Sequence, residues 1–417
     1  MKKEKIKSVP ELRFPGFAGE WKNEQIGSIA KTITSGSRDW AQHYAETGSK
    51  FIRMTNLPRD GIQLLMDDVR FVELPKDSSE GKRTSLEAHD ILISITAELG
   101  KIGWIPPDFG IAYINQHTAL VRLDLTMADA RFVAHLLSSE RMNNEINSLN
   151  DSGAKAGLNL PTIRSLPLNL PTPLEQQRIA EFLTAVDGRL AQLSRKKALL
   201  EDYKKGVMQQ LFTQALRFKN DHGKDFPDWE EKTLGELTKW ASGGTPSKDN
   251  ASFWEGDIPW MSAATMHERY YSDSPLSITQ EGVKSGSKMA RKGTLLLLVR
   301  GSMLWNRIPV GITTRDVAFN QDVKSISPTS EVSAEFLLHW FIASENMLLH
   351  KVVGTGIGAG KLDTDEMKNL PLQLPSPDEQ IKIANFLSAL DDKIESVTAQ
   401  ITHTQTWKKG LLQQMFV

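Results

Sequence analysis

The stretch of this chain that most suggests catalytic chemistry is a glycine-rich loop, "GTGIGAGKLD", at residues 354–363. Glycine loops that end in lysine can wrap a phosphate, because backbone N–H groups and the ammonium both face the anion. The spacing does not fit the phosphate-binding pattern GxxxxGK[ST], since position 355 is Thr355 and position 362 is Leu362. We therefore interpret the loop as a hinge before a short helix, and a nucleotide hydrolase stays an alternative.

Two other stretches contain residue types found in catalytic motifs, but their order or spacing does not match those motifs. "WIPPDFG" at 104–110 lacks the Asn/Asp-Pro-Pro-aromatic order of an amino-methyltransferase. In "FPDWEEK" at 226–232 the carboxylates are too close in sequence to come from separate strands around a metal. The chain has no cysteine, and its nine histidines form no HExxH pair. We predict no catalytic residue, no metal site and no cofactor in this chain.

The composition narrows the class of protein. A length of 417 residues predicts two to three domains. No apolar run approaches the ~20 residues of a membrane span, and the absence of cysteine fits a reducing cytoplasm. The net charge is −1, so any DNA binding must depend on local basic patches or on a basic partner.

The chain contains an internal duplication. Residues 166–212, beginning "LPLNLPTPLEQQRIAEFL", align with residues 370–416, beginning "LPLQLPSPDEQIKIANFL". The offset is 204 without a gap, and 20 of 47 positions are identical. "LRF" at 12–14 also returns at 216–218. Between these repeated segments the halves differ strongly, so the order along the chain is variable, shared, variable, shared.

Each shared segment predicts a long helix that begins near a proline, Pro173 or Pro377. Apolar residues follow a heptad over five repeats, which favours a coiled-coil partner. One seam position reads Ile179, Val186, Leu193, Leu200, Val207 in the first helix, and Ile383, Leu390, Val397, Thr404, Leu411 in the second. Polar seam residues such as Lys204 and Lys408 spread to the two ends if the helices pair antiparallel.

The sequence of the variable blocks predicts a mixed α/β fold. Short apolar strands are predicted at 90–95 and 294–299, and helical stretches at 130–149 and 334–353 close the blocks. We predict an α+β fold in which two pseudo-repeated α/β blocks are separated by two long helices that pair as an antiparallel coiled coil. The two halves are related by a pseudo-two-fold axis.

This plan resembles the specificity subunit of type I restriction–modification systems. The repeated Pro, Glu-Gln and amphipathic-helix segments quoted above look like the repeated segment of that family. "SGGTPSKDNASFWEGDIPWMS" at 242–262 resembles the opening of one of its target recognition domains, and "LRFPGFAGEW" is similar to a common lead-in. The resemblance covers essentially the whole chain.

The resemblance implies a function without catalysis. Each target recognition domain would read half of a bipartite DNA target for DNA methylation and phage defence. One copy of the chain would dock two adenine methyltransferase subunits and, through them, two motor-nuclease subunits. S-adenosylmethionine, ATP and Mg would bind those partners. The implied segments are an N-terminal arm at 1–20, recognition domains at 21–172 and 216–376 (the latter with its linker), and spacer helices at 173–215 and 377–417.

Candidate DNA contacts are polar and basic residues in the loops of the variable blocks, because such side chains reach base edges and phosphates. In the first block they are Ser35, Ser37, Arg38, Arg53, Asn56, Thr96, Glu98, Lys101 and Lys155. In the second block they are Gly243, Gly244, Thr245, Ser247, Lys248, Arg300, Asn306, Arg307 and Lys361.

Residues that recur in both halves are poor candidates for reading different bases. We predict structural or phosphate roles for Asn115-Gln116 and Asn320-Gln321, and packing between helices for Tyr203 and Trp407. The alternative function is a coiled-coil scaffold that does not bind DNA in a sequence-specific manner, which the near-zero net charge favours.

Overall fold

The computed structural model describes residues 9–75, 80–149, 157–356 and 358–416. Backbone contacts divide the chain into two compact units. Unit 1 is Met1–Lys196 with Val397–Val417, and unit 2 is Lys197–Ser396. Each unit therefore contains one variable block, the first part of one long helix and the last part of the other.

Unit 1 contains two four-stranded sheets and a two-stranded ribbon. One sheet has the order 30–35, 118–123, 91–94, 102–104, and the other has the order 44–45, 70–72, 49–52, 112–114. The strands are Lys22–Gln25, Ala30–Ser35, Tyr44–Ala45, Ser49–Ile52, Arg70–Val72, Ile91–Ser94, Ile102–Trp104, Ala112–Ile114, Thr118–Leu123 and Pro167–Leu170. The helices and 3₁₀ turns are Ile26–Ile29, Trp40–His43, Met54–Asn56, Glu80–Thr84, Ala130–Ser138, Glu140–Ser148 and Leu160–Arg164.

Unit 2 is built similarly, from a five-stranded and a four-stranded sheet with two small ones. The five-stranded sheet has the order 238–242, 323–328, 295–298, 310–313, 270–271. The strands are Glu230–Thr233, Thr238–Ser242, Trp254–Met261, Tyr270–Tyr271, Ser277–Ile278, Lys288–Ala290, Leu295–Leu298, Arg300–Gly301, Val310–Thr313, Val317–Phe319, Val323–Pro328, Val353–Gly354, Gly360–Lys361 and Pro371–Leu374. The helices and 3₁₀ turns are Leu234–Leu237, Ala251–Phe253, Ala263–Thr265, Gln280–Gly286, Ser302–Trp305, Ala334–Ala343, Glu345–Leu349 and Thr364–Lys368.

The predicted core elements are present. The apolar runs at 90–95 and 294–299 form the fully buried strands Ile91–Ser94 and Leu295–Leu298. Continuous apolar sequence suits them because both faces of each strand are covered. Each predicted closing stretch is a pair of helices rather than one, and Ser139 separates the first pair by capping the backbone N–H of Met142.

The long helices span Pro173–Phe212 and Pro377–Met415, so both begin at the predicted proline. In unit 1, Ile179 and Leu183 share a hydrophobic cluster with Leu411 and Met415. In unit 2, an equivalent cluster joins Val207 and Leu211 of the first helix to Ile383 and Leu387 of the second. Within each unit, early residues of one helix therefore pack with late residues of the other.

The lysines at the polar seam positions form ion pairs with aspartates. In unit 1, Lys408 is 7% exposed and bonds Asp187 at 2.5 Å. In unit 2, Lys204 is equally buried and bonds Asp391, which also accepts from Arg269. Burial lowers the pKa of Lys204 and raises the pKa of Asp187, as expected when charged groups lose water.

A buried carboxylate explains the Glu-Gln of the repeated segment. Glu379 is fully buried and accepts from Arg217 at 3.1 Å and 2.8 Å, and from Trp229 Nε1 at 2.9 Å. In unit 1, Glu175 is equally buried and accepts from Arg13 at 2.6 Å and 2.7 Å. The arginine of each "LRF" segment therefore holds the lead-in against the start of a long helix.

The glutamine of the same dipeptide makes a second link. Gln176 donates to the carbonyl of Pro171 and accepts from the backbone N–H of Asp129, both at 2.9 Å. In unit 2, Gln380 makes equivalent 2.9 Å bonds with Pro375 and Ser333. The dipeptide thus joins the lead-in, the last strand and the closing helices in each unit.

We expect the variant Arg217→Ala to lower the free energy of unfolding by about 3–5 kcal/mol, because it leaves Glu379 buried without its cation. The measurement is urea unfolding of the full chain. The matched control is Arg315→Ala, which removes an exposed arginine of the same unit and should change the free energy by no more than about 0.5 kcal/mol. Equal stability of the two variants would contradict the structural role of the Arg217–Glu379 pair.

Candidate nucleic-acid interface

The glycine-rich loop of unit 2 forms a hairpin beside another predicted DNA-contact segment. Strands Val353–Gly354 and Gly360–Lys361 pair with each other, and Gly360–Lys361 also pairs with Arg300–Gly301. Arg300 and Lys361 are directly opposite in this register, so their side chains share one face of the small sheet. Two segments about 60 residues apart in sequence therefore form one surface.

Glycine is required in this sheet by close packing. Gly301, Gly360 and Gly354 form one row across the three strands. A Cβ atom at Gly360 would lie 2.6 Å from the Val352 side chain and 3.1 Å from that of Leu304. Gly360 thus allows the turn Ser302–Trp305 to pack against the hairpin, which is a structural reason for a glycine in the motif that first suggested a nucleotide.

A cluster of lysines lies near this surface. Burial lowers the pKa of Lys324, and the positive charges of Lys368, Lys288 and Lys361 lower it further, against the opposing charge of Asp322. We call Lys288, Lys324, Lys361 and Lys368 the lysine cluster. Only Lys361 was predicted from the sequence, because the four residues come from separate elements and no local run of basic residues marks them.

The lysine cluster is joined to the predicted loop at 242–248. Lys324 Nζ donates to Ser242 Oγ, and the strands of these two residues pair in the main sheet. Lys368 is partly neutralised by Asp365 at 3.0 Å. The cluster is therefore a local group of basic residues in a chain of net charge −1.

The loop at 242–248 is fixed by its own packing. A Cβ atom at Gly243 would lie 2.2 Å from the carbonyl oxygen of Phe319, and one at Gly244 would lie 1.9 Å from that of Gly286. Both glycines are therefore needed for close backbone approach. Ser247 and Lys248 remain exposed.

Side chains of the same loop are held by polar contacts. Thr245 donates to Gln321 at 2.7 Å, which gives one member of the recurring Asn-Gln pair a structural role. Trp254 Nε1 donates to the carbonyl of Ser247 at 3.0 Å. On the neighbouring segment, Asn306 is exposed, whereas Arg307 donates to the carbonyl of Met266 at 3.0 Å.

Unit 1 repeats the glycine packing at its first loop. A Cβ atom at Gly36 would lie 2.1 Å from the carbonyl oxygen of Asn115, which is the counterpart of Gly243 against residues 319–320. Beside it, Ser35 is half-buried and Arg38 is exposed. Ser37 accepts from Arg83 at 3.2 Å. The recurring asparagine thus lies behind a glycine in both units.

Asn56 differs from the sequence prediction. It is 1% exposed, accepts from the backbone N–H of Arg53 at 3.0 Å and donates to the carbonyl of Leu65 at 2.9 Å. Its amide is therefore used within the protein. Arg53 is partly exposed and bonds Asp68 at 2.8 Å.

The second predicted loop of unit 1 contains a small ion-pair group. Glu98 is 2.5 Å from Lys101 and 3.4 Å from Arg59. The hydrogen bond and charge of Lys101 lower the pKa of Glu98. Thr96 precedes this group and is half-buried. Lys155 lies outside the described residues.

Comparison with known proteins identifies the family. Residues 19–202 and 227–403 match the type I restriction modification DNA specificity domain. The chain belongs to this family. Specificity subunits are the non-catalytic components of type I restriction–modification systems, so family membership confirms that the chain is not itself an enzyme.

Curated relatives of this specificity family align over part of their length. The specificity subunit of the Escherichia coli type I restriction enzymes EcoR124I/EcoR124II is 30% identical over 224 residues, which are 53% of this chain and 52% of that protein. The specificity subunit of the type I restriction enzyme MjaIX of Methanocaldococcus jannaschii is 33% identical over 184 residues, 43% of this chain and 42% of that one. The chain spans about half the length of these relatives or less.

Solved structures of type I systems share the fold. The S subunit from M. genitalium aligns with a TM-score of 0.63 at 15% identity, over 98% of this chain and 99% of that one. A chain from a structure of the assembly and conformational transition of a type I system aligns with a TM-score of 0.55 at 17% identity, over 97% and 98%. The predicted α+β class with two repeated domains is confirmed. The coiled-coil geometry of the long helices stays a prediction.

Two further observations concern metal ions and membranes. Within the described ranges, no three His, Cys, Asp or Glu side chains come together as metal ligands. Among the same residues, no helix combines the length and the hydropathy that a membrane span requires.

Lys361→Ala should weaken binding of all DNA sequences alike, because we expect the ammonium of this hairpin residue to contact phosphate rather than base. We expect the slope of log K against log salt to fall by about 1, the value for one lost phosphate contact. The measurement is fluorescence anisotropy with a random-sequence duplex at several salt concentrations. Lys292→Ala is the control, since Lys292 is exposed in the same unit but outside the lysine cluster. An altered base preference in the Lys361 variant would contradict this role.

Proposed function

We propose that this chain is the non-catalytic subunit that selects the DNA target of a type I restriction–modification complex. Each unit reads one half of a bipartite, asymmetric sequence. The observation that carries this proposal is a repeated structural frame with different residues at its loops. Two different half-sites at a fixed distance require that combination.

The loops that follow Ile95 in unit 1 and Val299 in unit 2 illustrate how the frame is shared while the loop residues differ. Leu158 donates its backbone N–H to Ile95 at 3.0 Å, and Leu362 donates to Val299 at 2.9 Å. The residue after each acceptor is Thr96 in unit 1 and Arg300 in unit 2. The same position of the same frame thus presents a hydroxyl in one unit and a guanidinium in the other. A guanidinium favours guanine, whereas a hydroxyl bonds to more than one base.

The proposed DNA contacts are the predicted loop residues whose side chains remain at least partly accessible. In unit 1 they are Ser35, Ser37, Arg38, Arg53, Thr96, Glu98 and Lys101. In unit 2 they are Thr245, Ser247, Lys248, Arg300, Asn306, Arg307 and Lys361, with the rest of the lysine cluster on phosphates. Gly243 and Gly244 contribute through backbone packing, and Asn56 is removed from the set by its burial. Lys155 stays a prediction.

We also propose that two adenine methyltransferase subunits dock on the repeated helices, and that two motor-nuclease subunits join through them. Two copies of one partner need two equivalent surfaces. Tyr203 and Trp407 occupy matching repeat positions and are 53% and 47% exposed. They are thus more exposed than residues packed between helices, and we assign them to these surfaces. S-adenosylmethionine, ATP and Mg then belong to the partners, and the complex acts on DNA in the cytoplasm with one copy of this chain.

The decisive experiment compares the methylome of the host with and without this chain. We expect one bipartite adenine-methylation motif to disappear when the chain is deleted and to return when it is restored. Unchanged adenine methylation, together with DNA binding that does not depend on sequence, would favour the scaffold alternative.

A block exchange tests the assignment of one half-site to each unit. Replacing residues 21–165 with the corresponding block of another family member should change one half of the methylated motif and leave the other half unchanged. The readout is again the methylome. A change in both halves, or in neither, would contradict independent reading by the two units.

A further inference from the structure

Trp305 is a large aromatic residue that remains half exposed in the middle of a proposed DNA-contact segment. The residue is 49% exposed. It is the last residue of the turn Ser302–Trp305, and the residue before it, Leu304, is fully buried. Exposed Asn306 follows it directly, and Arg300 lies just before the turn. In sequence, Trp305 therefore lies between two residues proposed to contact DNA.

The indole is held in one position by the hairpin. Its Nε1 donates to the carbonyl oxygen of Gly358 at 3.0 Å. Its six-membered ring lies beside Gly354, where a Cβ atom would be 3.8 Å away from the ring. Contact with a ligand would thus cost little side-chain entropy, because the ring is already fixed.

The exposed part of this side chain is apolar. The single polar atom of the indole is already bonded to Gly358, so the surface left to solvent consists of carbon. Val353, on the same hairpin, is 57% exposed. It lies opposite Lys361 in the sheet, as Arg300 does. The apolar Val353 thus lies in the same row of the sheet as two positively charged residues.

We propose that Trp305 makes an apolar contact with a thymine 5-methyl group in the half-site that unit 2 reads. The thymine methyl is the apolar group that a base presents in the major groove, and the neighbouring cations suit the phosphates on either side of it. The inference rests on the proposed function. At the corresponding loop of unit 1, residues 96–101 contain no aromatic side chain, so the contact belongs to one half-site.

The test uses the complex purified with its methyltransferase subunits and duplexes that carry the methylated motif. Each thymine on either strand of the unit 2 half-site is replaced in turn by deoxyuridine, which removes only the methyl group. We expect one substitution to weaken binding by the wild-type complex about fourfold, as for one buried methyl group. The complex with Trp305→Ala should bind the thymine duplex more weakly and no longer distinguish uracil at that position.

Two variants separate direct contact from support of the hairpin. Trp305→Phe keeps an apolar ring but loses the bond to Gly358, and it should keep most of the discrimination between thymine and uracil. Tyr270→Ala removes another exposed aromatic of unit 2, 45% exposed, and should change neither affinity nor discrimination. The double variant Trp305→Ala with Lys361→Ala should lose affinity in an additive manner, because the two residues contact different groups.

Several outcomes would overturn the inference. One is a half-site in which no uracil substitution weakens binding, including a half-site without thymine. Others are an unaltered preference for thymine in Trp305→Ala, or a Trp305→Ala effect that vanishes once Lys361 is removed, since the indole would then only position the hairpin. In all these cases the proposed function would still hold if the wild-type complex binds DNA in a sequence-specific manner. If the wild-type complex shows no sequence preference, both the proposed function and the inference about Trp305 are refuted.

Discussion

The buried carboxylate at the start of each long helix is the interaction on which both units depend. Glu175 and Glu379 have no exposed surface, and a carboxylate without water must be matched by a cation and by hydrogen bonds. The cation comes from an arginine 162 residues earlier in the chain in both units. Because the adjacent glutamine also bonds the last strand and the closing helices, one dipeptide connects the beginning and the end of each variable block. The block between these two points can therefore change its loops without changing its frame.

This division between frame and loops agrees with the distribution of repeated residues. The positions that recur are those with close packing requirements: the glutamate, the glutamine, and the glycines Gly36 and Gly243 that lie against a carbonyl oxygen of the opposite turn. The positions that differ carry side chains that reach solvent, such as Arg38 and Lys248. Packing therefore constrains the first set and leaves the second set free to diverge. A protein that reads two different half-sites needs both properties.

The charge distribution accounts for DNA binding by a chain with no basic excess. Net charge averages over the whole surface, whereas phosphates are contacted locally. The lysine cluster gathers four ammonium groups from separate elements of unit 2, and the pKa of Lys324 is lowered by burial and by the charges of the other three. Elsewhere, buried lysines such as Lys204 are neutralised by aspartates within the protein. Lys204 and Lys408 thus form ion pairs inside the protein, whereas the phosphate role of the lysine cluster is the one proposed above.

The sequence by itself determined the duplication, the order of the blocks, the long helices with their proline starts and the buried apolar strands. These features depend on residues that are near one another in the chain, through periodicity, capping and helix initiation. The domain limits and most DNA-contact residues stay predictions. Only the tertiary structure decided that Asn56 is buried, and it brought Lys288, Lys361 and Lys368 near enough to lower the pKa of Lys324. It also gave the glycine-rich loop its role, because a Cβ atom at Gly360 would meet Leu304, which is remote in sequence, at 3.1 Å as well as the nearby Val352 at 2.6 Å. Local patterns specify elements, whereas burial and charge at a site are set by neighbours that only the folded chain brings together.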